Sequence, residues 1–144
     1  MPLSWNLERS CRSDGIWIAE LRAEVMRADL QRLGLYDEVW VRQRFLRSFH
    51  CEHTYVIRVQ DRPAGSIAVR PEPDCQWIEH FYLPPEVQGD GVGTAVLAHV
   101  LRTHRDQRPF RINVLHGSRA AGLYQRAGFV FDSQDGVDVY LKLT

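Results

Sequence analysis

Apolar and polar residues in the first third of the chain follow the period of amphipathic helices. Over residues 16–33 apolar positions recur at spacings of three and four, and Gly34 follows as a helix-ending residue. Asp14 precedes this stretch and is predicted to cap the helix. Residues 39–49 form a second amphipathic stretch, with arginines between the apolar positions. The pattern therefore predicts two helices in series.

After residue 53 the pattern changes to short β-rich runs separated by turns and two further helices. Residues 54–59 and 66–70 are predicted strands, and the polar turn between them makes a hairpin. Further strands are predicted at residues 77–83, 110–115 and 137–142, with helices at residues 94–105 and 118–127. This order predicts an α/β (α+β) fold in which helices flank a mixed, largely antiparallel sheet.

Length and composition indicate a single globular domain over residues 1–144. Hydrophobic residues make up 44% of the chain and charged residues 25%, close to the averages of globular proteins. The 18 basic and 18 acidic residues balance, which disfavours a nucleic-acid partner because such binding draws on excess positive charge. No signal-peptide pattern opens the chain and its longest apolar run is residues 95–98, so we expect a cytoplasmic protein without a membrane partner.

Cysteine and histidine spacings give no disulfide or metal site. Cys11, Cys51 and Cys75 are far apart and lack a CxxC pattern, so we expect three reduced thiols. His99 and His104 stand five residues apart, a spacing that does not put both on one helical face. We therefore expect no metal in the site.

A glycine-rich loop between a predicted strand and a predicted helix is the first candidate binding site. Gly89, Gly91 and Gly93 lack side chains, so successive N–H groups can turn toward one anion at the helix start. A plain tight turn is the alternative explanation. The loop has no P-loop lysine and no GxGxxG pattern, and it follows a hairpin, so both of those nucleotide-binding classes are disfavoured.

Two blocks of sequence carry motifs that occur together in one enzyme family. The first is residues 88–93, QGDGVG, which fits the pattern of Gln or Arg, two residues, Gly, one residue, and Gly or Ala. The second is residues 119–129, RAAGLYQRAGF, which fits a segment that follows a fifth strand. Both blocks resemble the GNAT superfamily of acyl-CoA-dependent N-acyltransferases. One departure is Gly117, seven residues before Tyr124, where the family often has Asn.

The resemblance implies that acetyl-CoA is the cosubstrate and that it lies between a splayed pair of central strands. The backbone N–H near Leu83 is implied to hold the thioester carbonyl where negative charge develops. Ser118 is predicted to cap the last helix beside the coenzyme. The predicted cofactor-binding residues are Phe81, Tyr82, Leu83, Gln88, Gly89, Asp90, Gly91, Val92, Gly93, Thr94 and Ser118.

Glu79 is the candidate catalytic base. An aliphatic ammonium has an ordinary pKa of about 10.4 and must lose a proton before it attacks, directly or through water. Period-two alternation places Glu79 on one strand face with Trp77, Phe81 and Leu83, where an acid is costly unless it is paired or used. An ion pair with an arginine is the structural alternative, and His80 is the alternative base.

Tyr124 is the candidate general acid. The resemblance places it at the family's tyrosine, which donates a proton to the departing thiolate. Its alternative role is that of a core aromatic residue with a satisfied hydroxyl, while Leu123 and Phe129 are expected to pack in the core.

The acceptor site is predicted only in outline. Tyr36, Asp37 and Glu38, between the first two helices, are candidates for attracting a cationic amine, although such a cluster is also typical of a solvated turn. Trp40 and Trp77 have positions suited to an acceptor pocket.

The predicted reaction is direct transfer of an acetyl group to a small-molecule or peptide primary amine in a ternary complex. Cys75 lies outside the implied thioester site, so no acyl-enzyme is expected. The apolar faces of the first helices and last strands would allow a homodimer. A non-catalytic acyl-CoA-binding sensor or interaction module is the alternative, and the missing Asn at Gly117 is the feature that favours it.

Overall fold

Seven strands form one sheet flanked by four helices. The computed structural model describes residues 3–144. In chain order its elements are β1 (Trp5–Arg9), α1 (Asp14–Arg32), α2 (Glu38–Ser48), β2 (Thr54–Val59), β3 (Arg62–Pro71), β4 (Gln76–Tyr82), α3 (Val92–His104), β5 (Phe110–Leu115), α4 (Ala120–Arg126), β6 (Val130–Gln134) and β7 (Asp138–Leu143). None of these helices has both the length and the apolar content needed to span a bilayer.

The sheet has the order β1-β2-β3-β4-β5-β7-β6, and only its β4–β5 pair is parallel. The predicted mixed, largely antiparallel sheet is therefore confirmed. The parallel ladder joins Gln76 to Phe110 and Trp77 to Arg111 and ends there, although both strands continue. The two strands thus separate, as predicted, and the space between them beyond Trp77 is called the β4–β5 gap.

Helix α1 begins differently from the sequence prediction. Ser13 is its N-cap and makes no side-chain capping bond, so the prediction that Asp14 caps the helix is wrong. Asp14 is the first helical residue, and its carboxylate accepts hydrogen bonds from the Cys11 N–H at 2.8 Å and from Trp17 Nε1 at 2.8 Å. The acid therefore ties the incoming chain to the first turn of α1.

Strands β1 and β6 were missed because both are edge strands. Each has one neighbour, β2 or β7, and neither strand contains a fully buried residue. Val130 and Phe131 in β6 are each 58% exposed. A strand that buries little leaves a weak hydrophobic pattern in the sequence.

The hairpin of β2 and β3 is tighter than predicted. Strand β3 begins at Arg62 rather than at residue 66, because Gln60 and Asp61 make the turn alone with φ of 51° and 63°. Two consecutive left-handed residues are the backbone of a two-residue hairpin turn. Such turns favour Asn and Gly, so the Gln-Asp pair gave no clear signal.

Side chains of β4 enter two separate core clusters. The larger cluster includes Ile78 and Leu83 with Val96 of α3 and Tyr124 of α4. The smaller one consists of Ile18, Ala19 and Phe45 from α1 and α2, with Tyr82 packed against it. Strand β4 therefore lies between the α3 and α4 side of the sheet and the α1 and α2 side, next to the gap.

Candidate active site

The glycine-rich loop presents a row of free backbone amides. Gly89 and Gly91 have φ of 87° and 82°, and a Cβ built at either would meet nothing within 4 Å. Gly91 is the N-cap of α3, and the first bond of that helix runs from the Ala95 N–H to the Gly91 carbonyl at 3.0 Å. The N–H groups of residues 89–94 donate to no acceptor in residues 3–144. Amides of this kind at a helix start are ready donors to a phosphate.

Gln88 connects this loop to the end of β4. Its Nε2 donates to the Leu83 carbonyl at 2.6 Å. The Leu83 N–H itself lies just past the last paired residue, Tyr82, and has no backbone acceptor in the described chain. A free N–H at this place fits the predicted contact with a thioester carbonyl.

Gly65 is a site residue that the sequence analysis did not single out. A Cβ at this position would lie 2.2 Å from the Tyr82 carbonyl oxygen and 2.8 Å from Leu83 Cδ2. Only glycine therefore lets β3 pass this close to the end of β4. A glycine inside a strand is a recognised sign of close backbone approach, but the sequence pattern had placed Gly65 in the turn before the predicted strand.

Strand β4 contains one extra residue, at His80. Ser66 pairs with Tyr82 and Ala68 pairs with Glu79, so three steps along β4 oppose two steps along β3. His80 has φ of 51°, in the left-handed region. This is the geometry of a β-bulge, which inverts the alternation of the residues that follow it.

The bulge changes which β4 side chains share a face. Phe81 and Leu83 pack in the larger core cluster, whereas His80 and Tyr82 contact Phe45 on the α1 and α2 side. The prediction that Glu79 shares a face with Phe81 and Leu83 is therefore wrong. Period-two alternation cannot anticipate an inserted residue.

Glu79 is held by an arginine. Its Oε1 accepts from Arg70 Nε at 2.9 Å, and Nη1 of the same guanidinium donates to Glu72 at 2.6 Å. Arg70 also lies over the Trp77 ring, 5.7 Å from its centre. The ion pair that the sequence left open as a structural alternative is present. It also ties the Glu79 carboxylate to a β3 side chain, at a position on β4 just past the end of the ladder with β5.

Tyr124 stands beside the gap with a free hydroxyl. Its ring makes edge contacts with Phe81 at 6.4 Å and with Phe129 at 5.7 Å, and the residue is 4% exposed. No group in residues 3–144 hydrogen-bonds to its hydroxyl. Burial, and to a lesser extent Tyr82, raises the pKa of Tyr124, so the phenol keeps its proton. The alternative of a satisfied core hydroxyl does not describe this residue.

Ser118 and Gly117 explain the departure from the family pattern. Ser118 Oγ accepts from the Ala120 N–H at 3.2 Å, but Arg119 is the N-cap of α4, so the prediction that Ser118 caps this helix is wrong. Gly117 has φ of 77°, and a Cβ there would lie 2.9 Å from Arg32 Nη1. Arg32 in turn donates to the His116 carbonyl at 2.5 Å. The guanidinium of Arg32 therefore lies where a Cβ at position 117 would be.

The predicted acceptor residues divide into two groups. Asp37 is the N-cap of α2, and its Oδ1 accepts from the Trp40 N–H at 2.7 Å, so its role there is structural. Tyr36 lies under Arg27 and lines an open groove of about 910 Å³ that also reaches Asp90. This groove lies between α1, the β2–β3 turn and the glycine-rich loop of residues 88–93, which is called the coenzyme loop below.

The two tryptophans predicted for an acceptor pocket each lie under arginines. Trp40 is 44% exposed and lies beneath Arg47. Trp77 lies between Arg70 and Arg111, whose guanidinium carbons are 5.7 and 5.3 Å from its ring centre. Both indole faces of Trp77 are thereby engaged with cations near the start of the gap.

Cys75 lies before β4, at the opposite end of the strand from Leu83. Its thiol is 5% exposed, and burial followed by the nearby charge of Glu72 raises its pKa. A protonated, buried thiol is a poor nucleophile. The expectation that Cys75 forms no acyl-enzyme agrees with this environment.

Residues 50–131, more than half of the chain, match a family model described as an acetyltransferase (GNAT) domain. The matched segment contains β4, the coenzyme loop, α3 and Tyr124. No curated protein sequence matches the chain.

Solved structures share the whole fold at low sequence identity. The PaiA N-acetyltransferase of Thermoplasma acidophilum, in complex with coenzyme A, is 18% identical with a TM-score of 0.80, over 98% of this chain and 99% of that one. An N-acetyltransferase of Staphylococcus aureus Mu50 is 17% identical with a TM-score of 0.73, over 96% and 100%. The ribosomal-protein-S18-alanine N-acetyltransferase of Escherichia coli is 17% identical with a TM-score of 0.71, over 97% and 93%. These similarities confirm the predicted fold class.

Proposed function

Because the chain belongs to the GNAT acetyltransferase family, we propose that it transfers an acetyl group from acetyl-CoA to the nitrogen of a primary amine. The observation that carries this proposal is the β4–β5 gap, which has free amides at its mouth and a candidate base and acid beside it. Glu79 and Tyr124 belong to opposite faces of the sheet. An amine can therefore approach from the α1 and α2 side and the thioester from the other.

The backbone amides of the coenzyme loop fit a pyrophosphate. The N–H groups of residues 89–94 would donate to its oxygens, and Gly89 and Gly91 leave the approach open. Residues 81–83 would lie along the pantetheine arm, because β5 has no ladder with them. An extended arm can take the place of a missing strand in this way.

Glu79 is proposed to take the proton from the acceptor ammonium, directly or through water, while Arg70 keeps its carboxylate in place. The amine nitrogen then bonds to the thioester carbon, and the Leu83 N–H stabilises the negative charge on the carbonyl oxygen. The carbon–sulfur bond breaks, and Tyr124 gives its proton to the departing sulfur. The second proton of the new amide nitrogen leaves through water and replaces the proton that Tyr124 has lost. The free hydroxyl of Tyr124 favours this enzyme role over a non-catalytic acyl-CoA sensor.

The acceptor is proposed to be a small-molecule or peptide amine that enters near Tyr36. The groove it lines also contains Glu86 and Asp90, and neither carboxylate has an ion-pair partner within residues 3–144. Unpaired carboxylates attract a cationic amine. The cytoplasmic location, the homodimer and the absence of metal, membrane and nucleic-acid partners stay predictions.

A panel of amines with acetyl-CoA tests the proposal, with free thiol measured by a colorimetric reagent and the acetylated product by mass spectrometry. We expect thiol release that depends on one class of amine, matched by an equal amount of N-acetylated product. Direct transfer also requires that no thiol burst precedes the addition of amine. Tight coenzyme binding without thiol release from any amine would favour the sensor or interaction module instead.

A further inference from the structure

His80 is held at three points in a strained conformation. Its φ of 51° is costly for a residue with a Cβ, and such a backbone persists only where its surroundings fix it. Ser66, which is fully buried on β3, donates from Oγ to the His80 carbonyl at 2.7 Å. The imidazole edge packs on Phe45 of α2 with ring centres 4.8 Å apart. The two ring nitrogens make the remaining contacts.

Hydrogen bonds run through the His80 ring from α1 to α2. Arg22 Nε lies 3.0 Å from the Tyr82 hydroxyl, and that hydroxyl lies 3.1 Å from His80 Nδ1. His80 Nε2 lies 3.1 Å from Ser48 Oγ, which also lies 3.2 Å from the Phe45 carbonyl. One chain of contacts thus joins both helices to the bulge of β4.

The chemistry of the groups fixes the direction of every bond in this chain. Arg22 can only donate, so the Tyr82 oxygen accepts from it. Burial raises the pKa of Tyr82, so its proton is present, and the acceptor within reach of that proton is His80 Nδ1. The imidazole proton therefore lies on Nε2 and is donated to Ser48, which donates in turn to a helix carbonyl. Each proton in the chain has an acceptor.

This arrangement leaves His80 without a free lone pair for the acceptor amine. Its Nδ1 lone pair is used by Tyr82, and Nε2 carries the proton. Burial and the charges of Arg22, Arg44 and Arg70 lower the pKa of His80 to about 4, so the imidazolium is disfavoured at neutral pH. His80 is therefore poorly placed to be the base, although it was the sequence alternative to Glu79.

We propose that His80 is a positioning residue, whose ring and carbonyl fix the β4 bulge and thereby select which N–H of residues 81–83 faces the β4–β5 gap. A bulge inverts the direction of the backbone groups that follow it, so its exact place decides which amide meets the thioester carbonyl. The inference rests on the proposed acetyl transfer. It adds that α1 and α2, through Arg22 and Ser48, set the geometry of the strand that holds the carbonyl.

The chain offers a matched control in a second histidine–tyrosine pair. His104 Nε2 lies 3.3 Å from the Tyr55 hydroxyl, between α3 and β2, and His104 is also partly buried. His104→Ala removes the same kind of ring and the same kind of bond as His80→Ala. Because His104 lies away from the β4–β5 gap, His104→Ala measures how much kcat falls when a histidine–tyrosine pair is lost elsewhere in the fold.

Steady-state kinetics of these variants tests the proposal. His80→Ala should lower kcat by about 10- to 100-fold with the KM for acetyl-CoA within about threefold, because misplaced donors act mainly in the transition state. His80→Asn should recover part of kcat, since Asn tolerates a left-handed backbone and offers an acceptor to Tyr82. Ser48→Ala should lower kcat by about three- to tenfold, and His104→Ala should stay within about twofold. A kcat for His80→Ala no lower than that of His104→Ala would overturn the proposal.

Nuclear magnetic resonance gives a readout that needs no turnover. Nitrogen-15 spectra should show the His80 proton on Nε2 at pH 7, and Ser48→Ala should move the amide resonances of residues 81–83 while His104→Ala leaves them in place. A proton on Nδ1, or amides that do not respond to Ser48→Ala, would contradict the inference even in a fully active enzyme. A wild-type chain that binds no coenzyme would instead contradict the proposed function. The role of His80 in fixing the bulge would then be tested by these resonances alone.

Discussion

The two ends of β4 are built in different ways. At its start, Gln76 and Trp77 pair with β3 on one side and β5 on the other, and Gln76 is 3% exposed. At its end, residues 80–82 have no ladder with β5, Tyr82 pairs with β3, and side chains from α1, α2 and β3 hydrogen-bond to His80 and Tyr82. Backbone pairing on both sides holds residues 76 and 77, which we call the closed end of β4. Side-chain hydrogen bonds hold residues 80–82, which we call the open end. Substitutions at the open end should therefore change function more than they change stability.

The largest effect should come from the hydroxyl beside the open end. Tyr124→Phe should lower kcat by about 10²–10⁴-fold, because the departing sulfur loses its proton donor while the ring and its packing remain. Coenzyme affinity, measured by calorimetry, should change little. Tyr55→Phe is the control, since its hydroxyl contacts His104 away from the gap. Unaltered turnover in Tyr124→Phe would remove this residue from the mechanism.

The coenzyme loop follows the end of β4, and coenzyme binding there should be sensitive to an added negative charge. Gly91→Asp should weaken coenzyme binding by more than about 100-fold, because it places a side chain and a negative charge at the left-handed start of α3. Gly34→Asp is a matched control, since Gly34 also has a positive φ, of 72°, with nothing within 4 Å. Titration of both variants with coenzyme A should separate them. Equal affinities in the two variants would show that residues 89–94 form only a turn.

Glu79 and Glu72 both bind Arg70, so substituting each in turn distinguishes a catalytic role of Glu79 from a role in the ion pair. Glu79→Gln should lower kcat by about 100-fold at pH 7, because the ammonium loses its proton acceptor. Glu72→Gln, which also removes one carboxylate from Arg70, should change kcat by less than about threefold. Steady-state kinetics of both variants at pH 7 measures this difference. If the two variants behave alike, the carboxylate of Glu79 serves the ion pair and not the reaction.

The bulge at His80 should also make the stability of the fold depend on pH. In the folded chain the pKa of His80 falls to about 4, chiefly through burial and then Arg22, Arg44 and Arg70, while the Tyr82 hydroxyl faces the ring from β4. The unfolded state, with a pKa near 6.5, then binds more protons between these values, so stability is complete above pH 6.5 and falls as the pH drops toward 4.

At about 1.36 kcal/mol per unit, this loss approaches about 3 kcal/mol near pH 4. Urea unfolding at pH 7 and pH 4 should therefore show a larger decrease for the wild type than for His80→Asn, in which the other titrating groups are retained. Equal decreases would mean that His80 titrates normally and that the ring is open to solvent.

The period of apolar residues was sufficient to predict those helices and strands that bury one regular face. Helices α1, α2 and α3 and strands β2, β4 and β5 were predicted close to their observed limits, since each carries apolar residues at its own period. The edge strands β1 and β6 were missed because they bury little. The positions of the coenzyme loop and of Tyr124 were predicted from two sequence motifs. Each motif lies within one short segment, so it can be recognised without knowing contacts between distant residues.

The bulge could not be predicted from the sequence around it. Its conformation depends on Ser66 and Ser48, which lie 14 and 32 residues away from His80 along the chain. Contacts between distant residues leave no period in a single sequence, so strict alternation gave the wrong face for Phe81 and Leu83. Gly65 was missed as well, because the sequence pattern placed it in the turn before the predicted strand at residues 66–70, whereas the structure places it inside β3.

Thermal unfolding with acetyl-CoA, coenzyme A, ATP and NAD in parallel tests the central claim, which is that the open end of β4 and the loop after it form a coenzyme A site. A ligand at 100 times its dissociation constant adds about 2.7 kcal/mol to the free energy of unfolding. For a domain of this size, the midpoint should rise by roughly 5–10 °C. We expect this rise with acetyl-CoA and coenzyme A and not with ATP or NAD. No rise with either coenzyme would contradict the account and leave residues 89–94 as a structural turn.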